Sequence, residues 1–249
     1  MPKKIVKFED IRRSEKVLSL VTAANKYLEV KGYNEHGLRH VGYVSKTTSN
    51  ILKELGYDER TAELGAIAGW MHDIGNSVNR IYHGITGATI TYEILDKMGM
   101  PYDEINTITM AIGNHEEDYG TPVNPVSAAL IIADKSDAHR TRVRPSGPKS
   151  DNPDDNIHAR VNLAIKKNFV VIDNVKRVVR LVIFMDDTSS IMDFLQIYLT
   201  RMVLSEKAAA FLGCAFELVI NDLVINNKKT QKIPATLKLG TTETNVSEE

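Results

Sequence analysis

The 249-residue sequence has one cysteine, Cys214, and few long apolar runs. A single cysteine cannot form an intramolecular disulfide, so we expect a small buried apolar residue in a reducing compartment. A helix that crosses a bilayer needs about 20 apolar residues. Even the apolar region 175–185 is interrupted by Lys176, Arg177 and Arg180. These absences predict a soluble protein without disulfides.

Net charge is also nearly absent, because 31 Lys and Arg residues balance 32 Asp and Glu residues to leave −1. This balance offers no long-range attraction to nucleic acid or to an anionic membrane, so neither is an expected partner. Any affinity for phosphate must therefore be local. The charged N-terminal residues lack the apolar core of a secretory signal, which predicts a cytoplasmic protein.

Apolar residues recur at helical spacing through the first 145 residues. The pattern predicts helices over residues 10–30, 35–55, 58–70, 83–98, 102–115 and 125–141. Gly32 and Gly56 follow two of these segments and are typical of helix ends. No segment shows a convincing alternation of apolar and polar residues. We therefore expect residues 1–145 to form an all-helical domain.

The remainder of the sequence predicts a small α/β module, which makes the fold class α+β. Residues 146–156 are rich in Pro, Gly, Ser, Asn and Asp, which indicates a linker or mobile loop. Residues 157–226 form the module and 227–249 a disordered tail. Within the module we expect strands at 169–172 and 175–185, a helix from Ser190 to near Gly213, and a strand or hairpin at 216–225. The module contains no chemical motif, so assembly into a homo-oligomer, binding of a regulator or covering of the active site are its candidate roles.

A histidine and an aspartate, His72 and Asp73, adjoin at the end of an apolar helix in the sequence WMHDIGN. Burying both side chains is costly unless they are paired or bind a metal. An imidazole beside a carboxylate offers one nitrogen and one oxygen ligand to a divalent cation. The alternative is a polar pair that caps neighbouring helix carbonyls.

Two further residues on other predicted helices strengthen the metal hypothesis. His40 precedes His72 by 32 residues, and Asp134 follows four aliphatic residues and should face the interior. An unpartnered carboxylate there would be unfavourable, and a cation removes that cost. Antiparallel helices can bring these positions together.

The order His40, His72-Asp73, Asp134 resembles the HD-domain superfamily of metal-dependent phosphohydrolases, and the tetrapeptide HDIG resembles its HDIG subgroup. The resemblance covers roughly residues 35–145. It implies a helical fold in which these four side chains bind one metal. Histidine and carboxylate ligands suit iron, manganese, cobalt, nickel or zinc, so the expected cofactor is one or two divalent transition-metal ions.

Members of this superfamily with two metals carry histidines at places similar to His83 and His115, with Asp73 as the bridging carboxylate. Two cations can stabilise both the attacking and the leaving oxygen of a phosphoryl displacement, so we favour a dinuclear site. His83 could instead be exposed at a helix N-terminus and His115 a helix C-terminal cap. His36 lies one turn before His40 and is equally consistent with a metal ligand, a supporting residue or a surface residue.

The cyclic-dinucleotide branch of the superfamily, HD-GYP, fits this chain less well. That branch has a lysine where this sequence has Asn76, a histidine pair where it has Asn114 and His115, and a tripeptide that residues 119–122 lack. A cyclic dinucleotide is therefore a disfavoured substrate.

Candidate substrate-binding residues follow Asp134 in a basic cluster. The planar guanidinium of arginine and the charge of lysine suit phosphate oxygens. The alternative for each residue is a solvated position at the helix end, where its charge stabilises the helix carbonyls. We predict Glu116, with Asp73, to take part in catalysis as a proton donor or acceptor. Asp137 could orient an arginine or a water, and His139 and His158 are expected at the surface. The basic residues are Lys135, Arg140, Arg142 and Arg144.

These features predict a hydrolase of a phosphoester or phosphoanhydride, with a nucleotide or another small phosphorylated molecule as substrate and metal-bound hydroxide as nucleophile. Two alternatives stay open. A dinuclear iron centre of the HD type could activate oxygen, or the chain could bind a nucleotide as a non-catalytic regulatory protein.

Overall fold

The computed structural model describes residues 4–144 and 157–226. The predicted linker, 146–156, and the predicted tail, 227–249, lie outside the described residues. Residues 4–144 are helical, as predicted. Their helices are α1 (Phe8–Arg12), α2 (Glu15–Val30), α3 (Leu38–Glu54), α4 (Glu59–Met71), α5 (His83–Lys97), α6 (Tyr102–Gly113) and α7 (Pro125–Ser136), with 3-10 turns at Ile74–Ser77 and Arg140–Arg142.

Helix starts follow the capping residues of the sequence. Asp58 accepts a hydrogen bond from the Thr61 amide at the start of α4, and Asn124 accepts one from the Ser127 amide at the start of α7. One prediction is wrong: the segment 10–30 is two helices, because the side chain of Ser14 caps the start of α2. The prediction for 125–141 is also too long, because α7 ends at Ser136.

The C-terminal part contains α8 (Ile157–Ala164), β1 (Ile165–Asp173), β2 (Val178–Met185), α9 (Ile191–Phe211), β3 (Ala215–Ile220) and β4 (Leu223–Val224). The sheet order is β1-β2-β3-β4, with β2 parallel to β3 and the outer pairs antiparallel. The predicted capping box of Ser190 and Asp193 and the C-terminal hairpin are confirmed. Helix α8 was not predicted, and β2 starts later than expected because Val175 lies in the turn with 96% of its surface exposed.

The α+β class is confirmed, but the two parts share one hydrophobic core. Helix α9 packs against α7 on one side and β3 on the other, and the buried side chains of both parts form a single cluster. Cys214 belongs to it as a buried free thiol, as expected. Among the described residues, no helix has the length and apolar character to cross a membrane. The C-terminal part is therefore packed on the helical part rather than tethered to it.

Two glycines allow the close approach of the segments that carry the histidines. A Cβ atom at Gly69 would lie 2.6 Å from the Cα atom of Ser45, so α3 and α4 pack in direct backbone contact. A Cβ atom at Gly75 would lie 2.0 Å from the carbonyl oxygen of His83. These contacts place the end of α4 between α3 and the start of α5.

Candidate metal centre

Four buried imidazoles meet at this junction, and each has its Nδ1 atom fixed by an acceptor. A nitrogen that faces a carbonyl or carboxylate oxygen carries the ring hydrogen, which leaves Nε2 with a lone pair. The acceptors are the Asp137 carboxylate for His40, the Gly69 carbonyl for His72, the Arg80 carbonyl for His83 and the Ile112 carbonyl for His115, at 2.7, 2.9, 3.0 and 2.6 Å.

The Nε2 atoms converge in pairs. Those of His40 and His72 are 3.3 Å apart, and those of His83 and His115 are 3.2 Å apart. Two nitrogen lone pairs at this distance repel each other unless a proton or a cation lies between them. The fixed Nδ1 hydrogens of the four rings therefore prepare this pocket for positive charge.

The first pair is completed by two carboxylates. Asp134 Oδ1 lies 3.3 Å from His40 Nε2 and 3.5 Å from His72 Nε2, and Asp73 Oδ2 lies 3.6 and 3.5 Å from the same atoms. Donors about 2.1 Å from one cation are separated by about 3.0–3.4 Å in octahedral or tetrahedral geometry. The spacing of these four donors therefore suits a common ion.

The second pair is completed by Glu116 and by the other oxygen of Asp73. Glu116 Oε1 lies 2.8 Å from His83 Nε2 and 3.2 Å from His115 Nε2, while Asp73 Oδ1 lies 3.2 Å from His83 Nε2. Asp73 Oδ2 is buried and accepts no hydrogen bond within the described residues. A carboxylate that turns one oxygen to each histidine pair, with one oxygen unsatisfied, fits a bridge between two cations.

The carboxylates of the centre are ionised despite their burial. Burial opposes the charge of Asp73, but His72 and His83 outweigh it and hold its pKa well below the usual range. For Asp134, Lys135 and His40 likewise outweigh burial and hold the pKa low. Burial also opposes ionisation of Glu116, but in the absence of a cation the protons shared with His115 and His83 lower its pKa nevertheless. The ionised carboxylates supply the anionic oxygen donors that a divalent cation requires, and a bound cation would replace the protons that the histidines share with them.

Asp137 shows why α7 ends where it does. Its backbone leaves the helix, and its buried carboxylate accepts hydrogen bonds from His40 Nδ1 and from Arg39 Nη2, both at 2.7 Å. Arg39 also donates to Glu35. Asp137 therefore orients both an arginine and a candidate ligand, and Arg39 is a supporting residue that the sequence did not reveal.

A cavity of about 430 Å³ opens onto Asp73, Glu116 and Asp134. The predicted residues Lys135, Arg142 and Arg144 lie in its wall.

Arg140 is not brought to this cavity. Its guanidinium donates to the carbonyls of Leu163 and Ile165 and to the carboxylate of Asp186. Arg140 thus ties the helical part to the sheet. Its predicted role in substrate binding has no geometric support, because the 3-10 turn after α7 directs it away from the centre.

Several cavity residues were not predicted from the sequence. Arg80 precedes α5, and its guanidinium lies over the ring of Tyr33 at 5.8 Å. Arg201 and Tyr198 come from α9, where no chemical motif was visible, and Glu117 lies between them and Lys135. A cluster of separated Arg and Tyr residues has no fixed spacing, so sequence alone offers no signal for this wall.

The remaining histidines lie outside the ligand groups. His36 donates from Nδ1 to the Asn34 carbonyl at 2.7 Å and accepts from Arg142 at Nε2 at 2.8 Å, and it belongs to none of the converging ligand groups among the described residues. Of its alternatives, the structure supports a role that positions Arg142 at the cavity wall. His158 is exposed at the cavity, and His139 is half-buried and caps the 3-10 turn.

Comparisons with known proteins yield distant relatives. No protein-family model matches the chain. It is 26% identical over 167 residues to the uncharacterized protein MJ1020 of Methanocaldococcus jannaschii, covering 58% of this chain and 63% of that protein. The chain thus spans less than two thirds of that relative's length. It is also similar to the crystal structure of a predicted HD superfamily hydrolase from an uncultured Thermotogales bacterium, with 23% identity, a TM-score of 0.42, and coverage of 53% of this chain and 73% of that one.

Proposed function

We propose that the protein is a metal-dependent phosphohydrolase of the HD type, acting on a phosphoester or phosphoanhydride of a small molecule. The observation that carries the proposal is the Asp73 carboxylate, which turns one oxygen to each of two buried histidine pairs. Side chains arranged in this way suit two divalent cations held a few ångströms apart.

The donor groups divide into two sets that share Asp73. The first would hold one ion through His40, His72 and Asp134, and the second would hold another through His83, His115 and Glu116. Nitrogen and oxygen donors of this kind suit iron, manganese, cobalt, nickel or zinc. Bound divalent cations would supply Lewis acidity toward phosphoryl oxygens.

Charged residues of the cavity favour an anionic substrate. Lys135 is buried, and its Nζ lies 2.7 Å from both Asp134 Oδ2 and Glu117 Oε2. Carboxylate charge outweighs burial and keeps its pKa above the usual range, so it stays an ammonium beside the candidate metal ligands. Arg80, whose Nη1 lies 3.8 Å from Glu116 Oε1, adds a guanidinium on the other ligand set. These cations can neutralise equatorial phosphoryl oxygens, which a dioxygen substrate would not need.

A metal-by-substrate screen tests the proposal. Metal-free protein is reloaded with each candidate ion and assayed against monoesters, diesters and anhydrides, alongside Asp73→Asn. The exposed Asp103→Asn in the first turn of α6 is the matched control. We expect Asp73→Asn to lose on the order of 100-fold or more in activity and at least one bound ion, because the variant cannot bridge two cations.

Three other outcomes would count against hydrolysis. Equal activity of Asp73→Asn and Asp103→Asn would contradict the proposed metal centre. Dioxygen consumption by the iron form, without phosphate release under anaerobic conditions, would favour the oxygenase alternative. Nucleotide binding without turnover of any compound in the panel would favour the regulatory alternative.

A further inference from the structure

Arg201 differs from Arg142 and Arg144, two other arginines of the cavity wall, in having free donors. Arg142 donates to the carbonyls of Glu35 and Asp137 and to His36. Arg144 donates to the Tyr33 carbonyl and to Asn25. Both guanidiniums are therefore occupied in joining loops of the protein, and their role in the wall is structural.

Arg201 reaches the cavity from α9 and is held from one side only. Its Nε atom donates to Glu117 Oε1 at 3.0 Å, and its guanidinium lies 4.9 Å from the centre of the Tyr198 ring. Within residues 4–144 and 157–226, its two terminal amino groups meet no hydrogen-bond acceptor. Its side chain keeps 27% of its surface exposed. An oriented guanidinium with two unused parallel donors is suited to an anion.

The charge of Glu117 is shared between two cations, because its carboxylate contacts Arg201 and also lies 2.7 Å from Lys135 Nζ. Lys135 in turn contacts Asp134, a candidate metal ligand. A continuous row of alternating charges thus runs from the C-terminal part to the metal centre and consists of Arg201, Glu117, Lys135 and Asp134. The row fixes Arg201 relative to the reacting end of the cavity.

The charge of the cavity shows how much anion it accepts. Six acidic side chains line it, and they are balanced by six basic ones, namely Lys31, Arg80, Lys135, Arg142, Arg144 and Arg201. Each divalent cation held at the proposed centre adds two positive charges. A phosphate monoester carries about −1.5 to −2 at neutral pH and offsets one such ion. Two ions leave a surplus that a second phosphoryl group would balance.

We infer that Arg201 binds a second phosphoryl group of the substrate, and that the substrate class is a compound with at least two linked phosphoryl groups. This inference rests on the proposed function. One phosphoryl group lies at the ligand groups around Asp73, and the next is held by the terminal amino groups of Arg201. The C-terminal part is therefore a component of the substrate site, carried on α9.

Binding of two inert probes tests the inference without turnover. Metal-reconstituted protein is titrated by calorimetry with methylphosphonate and with methylenediphosphonate, and its metal content is measured before and after. We expect Arg201→Gln to weaken binding of the diphosphonate on the order of tenfold, the loss of one charged hydrogen-bonded contact, and that of the monophosphonate less than about twofold. Arg180→Gln is the matched control, because Arg180 lies in the same part of the chain, is 28% exposed and, like Arg201, donates from Nε to a glutamate, Glu217.

An equal loss for both probes, or no loss for either, would overturn the inference. Arg201→Lys keeps the positive charge but lacks the paired donors of the guanidinium, so we expect it to lose less diphosphonate affinity than Arg201→Gln. It also replaces Arg201→Gln in the test if that variant fails to fold. Selective diphosphonate binding that depends on Arg201, without hydrolysis of any compound, would refute the proposed function and support the inference. Hydrolysis of monoesters, together with probe binding that does not depend on Arg201, would support the proposed function and overturn the inference.

Discussion

The carboxylate of Asp137 accepts the Nδ1 hydrogen of His40 at 2.7 Å, and this contact sets which nitrogen of His40 faces the centre. A carboxylate behind a ligating imidazole fixes its tautomer and raises its basicity. Asp137 also receives Arg39, so its position is held from a second direction. The ligand geometry of His40 is therefore built by residues that do not themselves touch the candidate ion.

Asp137→Asn is the direct test of this arrangement. The amide can present its NH₂ group to His40, which would favour the tautomer with hydrogen on Nε2 and block the ligand atom. We expect metal affinity to fall about 10- to 100-fold, measured by competition with a chromophoric chelator. Asp186→Asn, an aspartate outside the cavity, serves as control. Unchanged affinity in Asp137→Asn would show that the contact with His40 is only structural.

Gly75 is expected to tolerate no side chain. A Cβ atom would lie 2.0 Å from the His83 carbonyl oxygen and 2.5 Å from the Gly87 backbone nitrogen, and backbone cannot move aside cheaply. We expect Gly75→Ala to lower the free energy of unfolding by about 2 kcal/mol or more and to weaken metal binding, because α5 carries His83.

Gly42→Ala is the matched control for this substitution. Its Cβ atom would meet only Trp70, at an ordinary 3.7 Å, inside α3. Alanine is favoured over glycine in helices by about 1 kcal/mol, so this variant should be neutral or stabilised. Urea unfolding compares the two variants, and equal stability would contradict the close packing of Gly75.

Metal removal should lower the stability of the fold. The buried carboxylates of Asp73, Asp134 and Glu116 face imidazoles whose lone pairs converge, and a cation that binds only the folded chain stabilises it by mass action. We expect chelation to lower Tm by several degrees, corresponding to about 2–4 kcal/mol for metal at 100- to 1,000-fold above its Kd. Asp73→Asn should show a smaller difference between its loaded and metal-free forms. An identical Tm for the loaded and metal-free wild-type protein would argue against a bound ion.

Three of the candidate ligands, His72, Asp73 and Asp134, could be predicted from neighbouring residues, whereas His83 and His115 were predicted from the resemblance and Glu116 was predicted as a proton donor or acceptor. His72 and Asp73 follow an apolar helix, and Asp134 follows aliphatic residues on α7. The burial of these side chains, and the free-energy cost of burying them without a partner, could therefore be argued from neighbouring residues alone. The short 3-10 turn and the exit of Asp137 from α7 were not predictable in this way. They depend on the hydrogen bonds of Asp137 to Arg39 and His40, which lie 98 and 97 residues earlier.

The cavity wall required tertiary structure for a different reason. Arg201 and Glu117 are separated by 84 residues and meet only because α9 packs on α7. Arg140 shows the opposite error, since its nearness to Asp134 in sequence did not bring it into the cavity. Proximity along a chain is informative within a helix and loses meaning once the helix ends.

Lys135 and Glu117 should show strong energetic coupling. Lys135→Met leaves Asp134 and Glu117 with less compensation in a buried setting, and breaking a buried pair from one side costs about 3–5 kcal/mol. Adding Glu117→Gln removes one of the two carboxylate charges that Lys135→Met leaves without compensation, so the double variant should regain part of the loss. A double-mutant cycle on metal-free protein, followed by urea unfolding, should yield a coupling energy of about 1–3 kcal/mol. Additive effects would mean that the 2.7 Å contact contributes nothing to folding, and that Lys135 is held in place by Asp134 instead.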